Sequence, residues 1–460
     1  MKVENVIKEI TGKEVIVFND SANVWLQYYK GDVEKFHNYT LYNGVKNIDT
    51  KRKTLNMPKK ICEDWANLLL NEKTDVVIGN DKQQEQLWGL LNKVNFWVKG
   101  NEGIEKTFAL GTGAFVENVD ANGNVRLQFV SRQKIYPITF DQDKITECAF
   151  VNVKSSETTI QMHILDSLGN YNIRTLIYKK NTKDASEDIG YLVSDTIFDT
   201  ESPLAWFQIL KPNVANNIDI NSPMGISIFA NAVDVLQGVD LAYDGFCEEM
   251  RLGQARIFMN KALTRYDATG ENLVFDVNEK GFYYLGESEN TKPIELYNPT
   301  LRTDGYFNGI NNALNLLSSK VGFGENHYRF DKGGIATATQ VISENSEMFR
   351  SLRKHEILLN DVIISVCKAL MYIHNNFAYV EDGFKFDLTA NIEVKFDDSI
   401  IEDKETMKMT DRQDVNMGVM SKVEYRMKWF NEDEETARQK IEEIEEENRS
   451  ETLNFFSGGE

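Results

Sequence analysis

The residues of this 460-residue chain that could do chemistry lie in its last fifth, where Asp387 precedes Glu393-Val394-Lys395. An acid followed by Glu-x-Lys can hold a magnesium ion and position a water molecule, as in many nucleases. A simpler interpretation is an ordinary strand, because the apolar residues Ile392, Val394 and Phe396 alternate with polar ones. We keep a magnesium-dependent nuclease as the alternative hypothesis, which metal-dependent cleavage of plasmid DNA, abolished by Glu393→Ala, would support.

Other signatures of catalysis and cofactor binding are missing from the sequence. Gly111-Thr112-Gly113 lacks the third glycine of a dinucleotide-binding loop and precedes a predicted strand. The sequence contains neither a Gly-x-x-x-x-Gly-Lys-Ser/Thr motif nor a Gly-x-Ser-x-Gly nucleophile elbow. The five histidines are scattered, and none has a second ligand at the spacing of a zinc site. The sequence therefore favours a protein that is not an enzyme, without cofactor or metal.

The charge balance disfavours tight, static binding of nucleic acid. The chain has 71 acidic residues against 51 lysines and arginines, a formal net charge of -20. A protein that grips DNA needs clustered cations to displace counterions from the phosphates. A surface that lets DNA slide is compatible with this composition.

Four widely spaced cysteines are expected to be free thiols of a cytosolic protein: Cys62, Cys148, Cys247 and Cys367. The N-terminus leads into no long apolar run, so we expect no signal peptide. No run of about 18 apolar residues stands out, so we expect no membrane association.

A glycine- and aromatic-rich segment from Gly322 to Phe330 is the second candidate for function. Its glycines permit backbone freedom, and its polar side chains can touch phosphate or sugar without reading bases. The plain alternative is a surface turn. The candidate residues are Phe323, Glu325, Asn326, His327, Tyr328 and Arg329.

The elements before this segment predict a mixed α+β chain. Residues 1–110 read as mostly helical, with helices at 57–71 and 84–98. From Ala114 the period changes to two, and Asp120-Ala121-Asn122-Gly123 predicts a hairpin turn. Further strands of an antiparallel sheet are predicted at 147–153, 159–165 and 172–178.

The second half of the chain predicts a stalk. A helix over 225–254 leads to a small β insert over 256–300, and a second helix over 303–320 leads back. The insert is expected to hold a hairpin of 273–277 with 281–285. Because two helices with a β tip bury little alone, their apolar stripes need partners, which adjacent copies in a ring could supply. The alternative is that these stripes form an intramolecular core.

Beyond Pro299 the chain has no proline, which permits long helices. The longest helical pattern covers 337–375, and we expect a bend in it. Residues 384–396 return to strand. The chain from Lys404 is predicted to be helical, ending in an acidic helix and a disordered terminus.

With these elements in order, the chain resembles the portal proteins of tailed phages that infect Gram-positive bacteria. The resemblance covers nearly the whole chain in order of elements. It is carried by the segment Ser222-Pro223-Met224-Gly225-Ile226-Ser227, by the following helix through Asp234, Asp240 and Glu248, and by the segment from Ala336 to Ser346.

The resemblance implies a multi-part portal fold with an α/β wing, a two-helix stem, a small β-containing clip, a long kinked wing helix and a helical C-terminal crown. The implied parts are a wing over 1–221, stem helix 1 over 222–255, the clip over 256–300, stem helix 2 over 301–320, a tunnel loop over 321–336, the long wing helix with closing strands over 337–399, and the crown with an acidic tail over 400–460.

The resemblance also implies a ring, of twelve copies in the virion, through which double-stranded DNA passes without sequence specificity. The candidate loop would be the tunnel loop, and Arg251, Arg256 and Lys320 would line the channel near the stem ends. Terminase, a head–tail adaptor, and capsid and scaffold proteins would be the partners. Assembly would occur in the host cytoplasm, and the protein would then reside at the portal vertex of the virion.

Two further expectations follow. Deleting residues 323–330 should leave ring assembly intact and impair DNA packaging or retention. A different phage structural protein, such as a capsid or baseplate component, would lack a stalk with a β tip.

Overall fold

A computed structural model describes residues 2–15, 21–42, 44–142, 144–180, 189–260, 265–266, 273–274, 282–285, 294–330, 338–380, 383–397, 404–430 and 432–444. The chain divides into two compact units. The larger comprises Met1–Lys332 with Arg350–Phe396, and the smaller comprises Gly333–Phe349 with Asp397–Glu460. The mixture of helices and antiparallel strands confirms the α+β class.

The first part of the larger unit is mostly helical, as predicted. The helix predicted over 84–98 is wrong in extent, because Asn95 adopts a left-handed conformation with φ of 58° and separates two helices. The elements are α1 (Val3–Thr11), α2 (Ser21–Lys30), α3 (Glu34–His37), β1 (Asn38–Tyr42), β2 (Asn47–Lys51), α4 (Met57–Leu69), β3 (Asp75–Ile78), α5 (Asp81–Lys93) and α6 (Phe96–Leu110).

Two antiparallel sheets follow, with strand orders β10-β9-β8-β7-β6 and β11-β4-β5. The hairpin turn at Asp120 is confirmed, since its Oδ1 accepts from the backbone N–H groups of Asn122 and Asn124 at 2.9 Å. The strands are β4 (Gly113–Val119), β5 (Val125–Ser131), β6 (Ile135–Asp141), β7 (Lys144–Val153), β8 (Glu157–Leu165), β9 (Tyr171–Lys179), β10 (Tyr191–Asp199) and β11 (Phe207–Leu210).

The larger sheet has a core on each face. On one face Val6 and Ile7 of α1 pack against Met162 and Leu176. On the other face Phe150 meets residues of β4 and β11. The three predicted strands are confirmed as β7, β8 and β9, whereas β6, β10 and β11 were not predicted.

The two stalk helices are α7 (Val233–Leu252) and α8 (Thr303–Lys320). The bounds of α8 are those predicted, whereas α7 begins eight residues later than predicted, after a short turn of 3₁₀ helix at Ala230–Ala232. Between them lie β12 (Arg256–Asn260), β13 (Arg265–Tyr266), β14 (Leu273–Val274), β15 (Phe282–Leu285) and β16 (Ile294–Tyr297).

The predicted pairing inside the β insert is wrong. The strand at 273 is not paired with the strand at 282, since β14 pairs with β13 and β15 runs parallel to β12. On its other side, β12 pairs with β16, which runs antiparallel to it. The predicted connection over 278–280 lies outside the described residues. Alternation alone identifies strands but not partners, which explains the error.

The rest of the chain comprises α9 (Ala338–Asn376), β17 (Ile392–Lys395), α10 (Lys404–Met417), α11 (Lys422–Phe430) and a helix at 434–444. The long helix is confirmed within one residue at each end, and its bend stays a prediction. Of the strand predicted over 384–396, only β17 forms. The acidic terminus over 445–460 lies outside the described residues.

One helical segment, Ser346–Asn376, has the length and mean hydropathy (1.5) of a membrane span, which the sequence analysis did not expect. The similarity to a membrane span rests on length and composition alone. Leu352, Leu359, Val366 and Leu370 of this segment are buried in the larger unit. A helix buried in a protein core is also long and apolar, so it has the same length and hydropathy as a membrane span.

Candidate channel loop and stem

The candidate loop is anchored inside its own subunit by Phe323. This side chain is fully buried, and its ring stacks on Trp65 of α4 at 4.5 Å between centroids and on His327 at 4.3 Å. The Nε1 of Trp65 donates to the carbonyl of Val321 at 3.2 Å. The loop therefore contributes to the core of the larger unit as well as to its surface.

The start of the loop ends α8 in a tight turn. Gly322 has φ of 87°, and the N–H of Phe323 donates to the carbonyl of Ser318 at 3.0 Å. A Cβ at position 322 would lie 3.0 Å from the Oγ of Ser351. The left-handed backbone conformation favours glycine at 322, and a Cβ there would also press on the side chain of Ser351.

The described remainder of the loop runs back along α8. The backbone N–H groups of residues 326, 328 and 330 donate to three side chains of that helix, at 2.6, 3.0 and 3.0 Å. The acceptors are Asn315 Oδ1, Ser318 Oγ and Asn311 Oδ1. Because these positions are spaced by four and three, they form one stripe on α8.

A second attachment joins the loop to α4. The hydroxyl of Tyr328 donates to Asp64 Oδ2 at 2.8 Å, and Asp64 is also paired with Lys60. Burial, followed by the nearby Asp64 carboxylate, raises the pKa of Tyr328 well above its ordinary value. The tyrosine is therefore neutral and acts as a donor at physiological pH.

The structure separates the six predicted loop residues by exposure. Phe323 is buried between Trp65 and His327, and its contact with DNA stays a prediction. Glu325 is exposed, and the residues from 326 to 329 are half-buried. The Nε of Arg329 is buried and has no hydrogen-bond partner among the residues that the structure describes.

The three predicted channel cations do not come together. Arg251 and Arg256 lie where α7 ends, whereas Lys320 is the last residue of the antiparallel α8. An 18-residue helix is about 27 Å long, so the two ends of the stalk are separated by that distance. Arg251 is exposed but bound to Glu248 at 2.5 Å, so its charge is compensated.

The stalk packs internally on small residues and an ion pair. A Cβ at Gly245 would lie 2.8 Å from the Tyr306 ring, which explains glycine at this helix crossing. Arg302 and Glu249 form a salt bridge at 2.7 Å between the two helices.

The distal half of the stalk is nevertheless poorly covered. Beyond Asp244 no residue of α7 is buried, and in α8 none is buried before Ile310. Large apolar side chains are exposed in this distal half, at Met250, Leu252 and Phe307, and also nearer the root, at Leu241 and Leu316. These side chains are candidates for contact with another surface.

The root of the stalk is held by two buried carboxylates that the sequence analysis did not assign. Asp240 interrupts the apolar stripe of α7; its Oδ1 accepts from the N–H of Leu55 at 3.0 Å, and its Oδ2 lies 3.2 Å from His37 Nε2. Asp244 accepts from the N–H of Lys53 at 2.9 Å. The interruption of an apolar stripe by an acid was the available signal.

The tautomer of His37 follows from its other nitrogen. Nδ1 accepts from the N–H of Val33 at 2.7 Å, so in the neutral ring Nε2 carries the proton and donates to Asp240. This buried network ties the segment before α4 to the stalk.

The nuclease candidates are not arranged as a site. In β17 Ile392 and Val394 are buried while Glu393 and Lys395 are exposed, which is the pattern of an ordinary strand paired with β3. The carboxylate of Asp387 accepts from the N–H and hydroxyl of Thr389, which lower its pKa. Among the described residues no group of three or more His, Cys, Asp or Glu side chains could hold a metal.

The motif that begins at Ser222 serves close backbone contact. A Cβ at Gly225 would lie 2.3 Å from the carbonyl oxygen of Gly111, and one at Gly111 would lie 2.6 Å from that of Gly225. The carbonyl of Gly225 also accepts from the buried Arg132 at 2.6 Å. Gly111, the first glycine of the segment that lacks the third glycine of a dinucleotide loop, therefore joins the end of α6 to the segment that precedes the stalk.

The chain is similar to known phage proteins in sequence and in fold. The family model described as "Phage portal protein, SPP1 Gp6-like" matches residues 19–452. No curated protein matches the chain significantly. Similar solved structures include the neck of a native gene transfer agent particle computed with C12 symmetry, at 9% identity and a TM-score of 0.42, covering 92% of this chain and 97% of that one. The neck of an empty particle computed with C6 symmetry has 10% identity and a TM-score of 0.44, covering 92% and 98%.

Proposed function

This chain belongs to the phage portal protein family and is a structural portal subunit, and we propose that it forms a ring-shaped DNA channel at one capsid vertex. The ring would serve genome packaging, retention and ejection, and would join head to tail. The observation that carries the proposal is the set of large apolar side chains left exposed along both stalk helices.

Ring formation explains why apolar side chains of the stalk are left in water. Leu241, Leu252 and Leu316 are each about half exposed. Burial of apolar surface is worth about 25 cal/mol per Å². Neighbouring stalks packed around an axis supply that burial, whereas a monomer cannot. The number of twelve copies rests on the family resemblance.

The parts of the portal are proposed with the bounds expected from the sequence. The two stalk helices act as the stem, and the strands between them act as the clip. The smaller compact unit joins Asp397–Glu460 to Gly333–Phe349, and its second segment begins three residues before the crown bound expected at 400, which supports a separate crown. Residues 321–330, with the following segment to 336, act as the tunnel loop.

The channel would engage DNA weakly. The chain is acidic overall, and Arg251 is neutralised by Glu248. Glu325 repels phosphate, whereas Arg329 and His327 can contact it without reading bases. Few compensated cations let the duplex slide rather than stop in one register.

Catalysis would reside in a docked terminase, and this subunit would act sterically and electrostatically. The clip would meet the terminase during packaging and a head–tail adaptor afterwards. Capsid and scaffold proteins would surround the wing. Assembly would take place in the cytoplasm of the host, with the finished ring in the virion. A Gram-positive host stays a prediction.

Electron microscopy of capsids assembled with variant subunits tests the ring. Leu241→Asp and Leu316→Asp place charges on the uncovered stalk and should abolish ring-bearing capsids. Leu168→Asp changes an equally apolar, exposed side chain in the turn between β8 and β9 and should have no effect. Normal rings with both stalk variants, or a monomer whose metal-dependent nuclease activity is lost in Glu393→Ala, would contradict the proposal.

The deletion of residues 323–330 is unsuitable as a test of the loop, because it also removes the buried Phe323. Glu325→Ala and Arg329→Ala leave that anchor in place. We expect both to assemble rings and to alter packaging or retention of DNA, measured by protection from nuclease. Normal protection in the double variant would remove the loop from the mechanism.

A further inference from the structure

Two exposed β edges of the larger unit suggest how neighbouring subunits meet outside the stem. The first is the hairpin of β1 and β2, and the second is β10, the edge strand of the five-stranded sheet. We propose that the β1–β2 hairpin of one copy pairs with β10 of the next copy, giving an intersubunit sheet. This inference rests on the proposed ring.

The hairpin exposes apolar side chains on a structure that needs support. Leu41 and Ile48 are cross-strand partners on one face, and they are 51% and 41% exposed. Tyr42, on the other face, is 69% exposed. An isolated two-stranded hairpin is marginally stable in water at best. A covering surface is therefore expected.

The outer edge of β10 also exposes apolar side chains and lacks a partner strand among the described residues. Leu192 and Ile197 are 47% and 67% exposed, and among the described residues no strand pairs with the outer edge of β10. An open edge with apolar side chains is a template for an added strand, and proteins usually protect such edges. The bulge between Leu192 and Ser194 interrupts only its first part.

The two edges differ in charge. The hairpin, residues 38–51, contains two lysines against one acid, whereas β10 contains two acids and no base. Lys51 is paired with Asp32 and Asp195 with Arg174, so part of this difference in charge is already compensated within the subunit. Opposite net charge favours contact between the hairpin and β10 over contact between two hairpins.

The partner is a second copy because a ring requires two different surfaces on every subunit. In a closed ring each interface is heterologous, so one patch of a copy meets a different patch of the next. The hairpin and β10 belong to the same compact unit and fit each other in backbone edge, apolar character and charge.

Cross-linking between single-cysteine variants tests this contact in assembled rings. Leu41→Cys and Ile48→Cys chains are mixed with Leu192→Cys or Ile197→Cys chains in a Cys247→Ser background, since the other three cysteines are buried. A short bis-maleimide should join the two kinds of chain. Because assembled neighbours reach effective concentrations of about millimolar, the rate should exceed that of a Leu168→Cys control by about tenfold or more.

The outcomes separate this inference from the proposed function. Rings in which none of the four mixtures cross-links faster than the control overturn the hairpin contact and leave the portal function standing. Failure of the wild-type chain to form any ring in capsids overturns both. Loss of rings in Leu41→Asp, with normal rings in Leu168→Asp, supports the contact independently.

Discussion

Replacing Phe323 by alanine should release the candidate loop from its subunit. The ring of Phe323 is fully buried and stacked on two aromatic neighbours, and a buried Phe→Ala change costs about 3–5 kcal/mol. If the loop opens as a unit, the substitution lowers the free energy needed to open it by this amount. At 1.4 kcal/mol per factor of ten, the open population rises at least about a hundredfold.

Hydrogen exchange of backbone amides measures the population of the open loop directly. The amides of residues 326, 328 and 330 are bonded to side chains of α8 in the closed loop, so they exchange only when it opens. Phe330→Ala is the matched control, since Phe330 is 60% exposed. Its exchange between 324 and 329 should stay near that of the wild type.

Unchanged exchange over 324–330 in Phe323→Ala, together with an unchanged midpoint of denaturation, would contradict the anchoring of the loop by Phe323. That result would mean that stacking on Trp65 contributes nothing to the closed loop. Fast exchange at these amides in the wild-type protein would likewise contradict the bonds to Asn315, Ser318 and Asn311.

Two further changes test the buried polar groups. Asp240→Ala leaves the N–H of Leu55 without its acceptor and should lower the free energy of unfolding by about 1–3 kcal/mol in chemical denaturation. Asp234 is exposed on the same helix, so Asp234→Ala should change that free energy by less than about 0.5 kcal/mol. Burial lowers the pKa of His163 to about 3, so the unfolded chain binds a proton that the folded one does not between the ordinary value near 6.5 and about 3. Stability should therefore fall with falling pH in that window, by up to about 1.4 kcal/mol per pH unit, and His163→Leu should lessen this dependence.

Periodicity predicted the elements whose burial is decided within the subunit. The bounds of α8 and α9 followed from apolar residues at helical spacing and from the lack of proline beyond Pro299. The hairpin at Asp120 followed from a turn whose own side chain satisfies the backbone. In each case the local signal and the final structure depend on the same few residues.

Strand pairing in the β insert and the anchoring of the loop could not be predicted in the same way. Which strand pairs with β15 depends on long-range register, which alternation does not encode. The burial of Phe323 depends on Trp65, more than 250 positions earlier in the chain. A glycine-rich aromatic loop is typical of exposed segments, so nothing local indicated that its first aromatic residue faces inward.

Asp240 and Asp244 give the stalk a mechanical connection that matters for both proposals. They bind the backbone of residues 53 and 55, and Arg52 next to them lies over the rings of Phe36 and Tyr39 at 4.8 and 4.4 Å. Rotation of α7 must therefore move the base of the β1–β2 hairpin or break these buried bonds. If that hairpin contacts β10 of the next copy, rotation of α7 in one subunit shifts the contact with the neighbouring subunit. Asp244→Ala should then weaken the coupling without abolishing rings, and the cross-linking rate between Leu41→Cys and Ile197→Cys chains would fall below that of the parent.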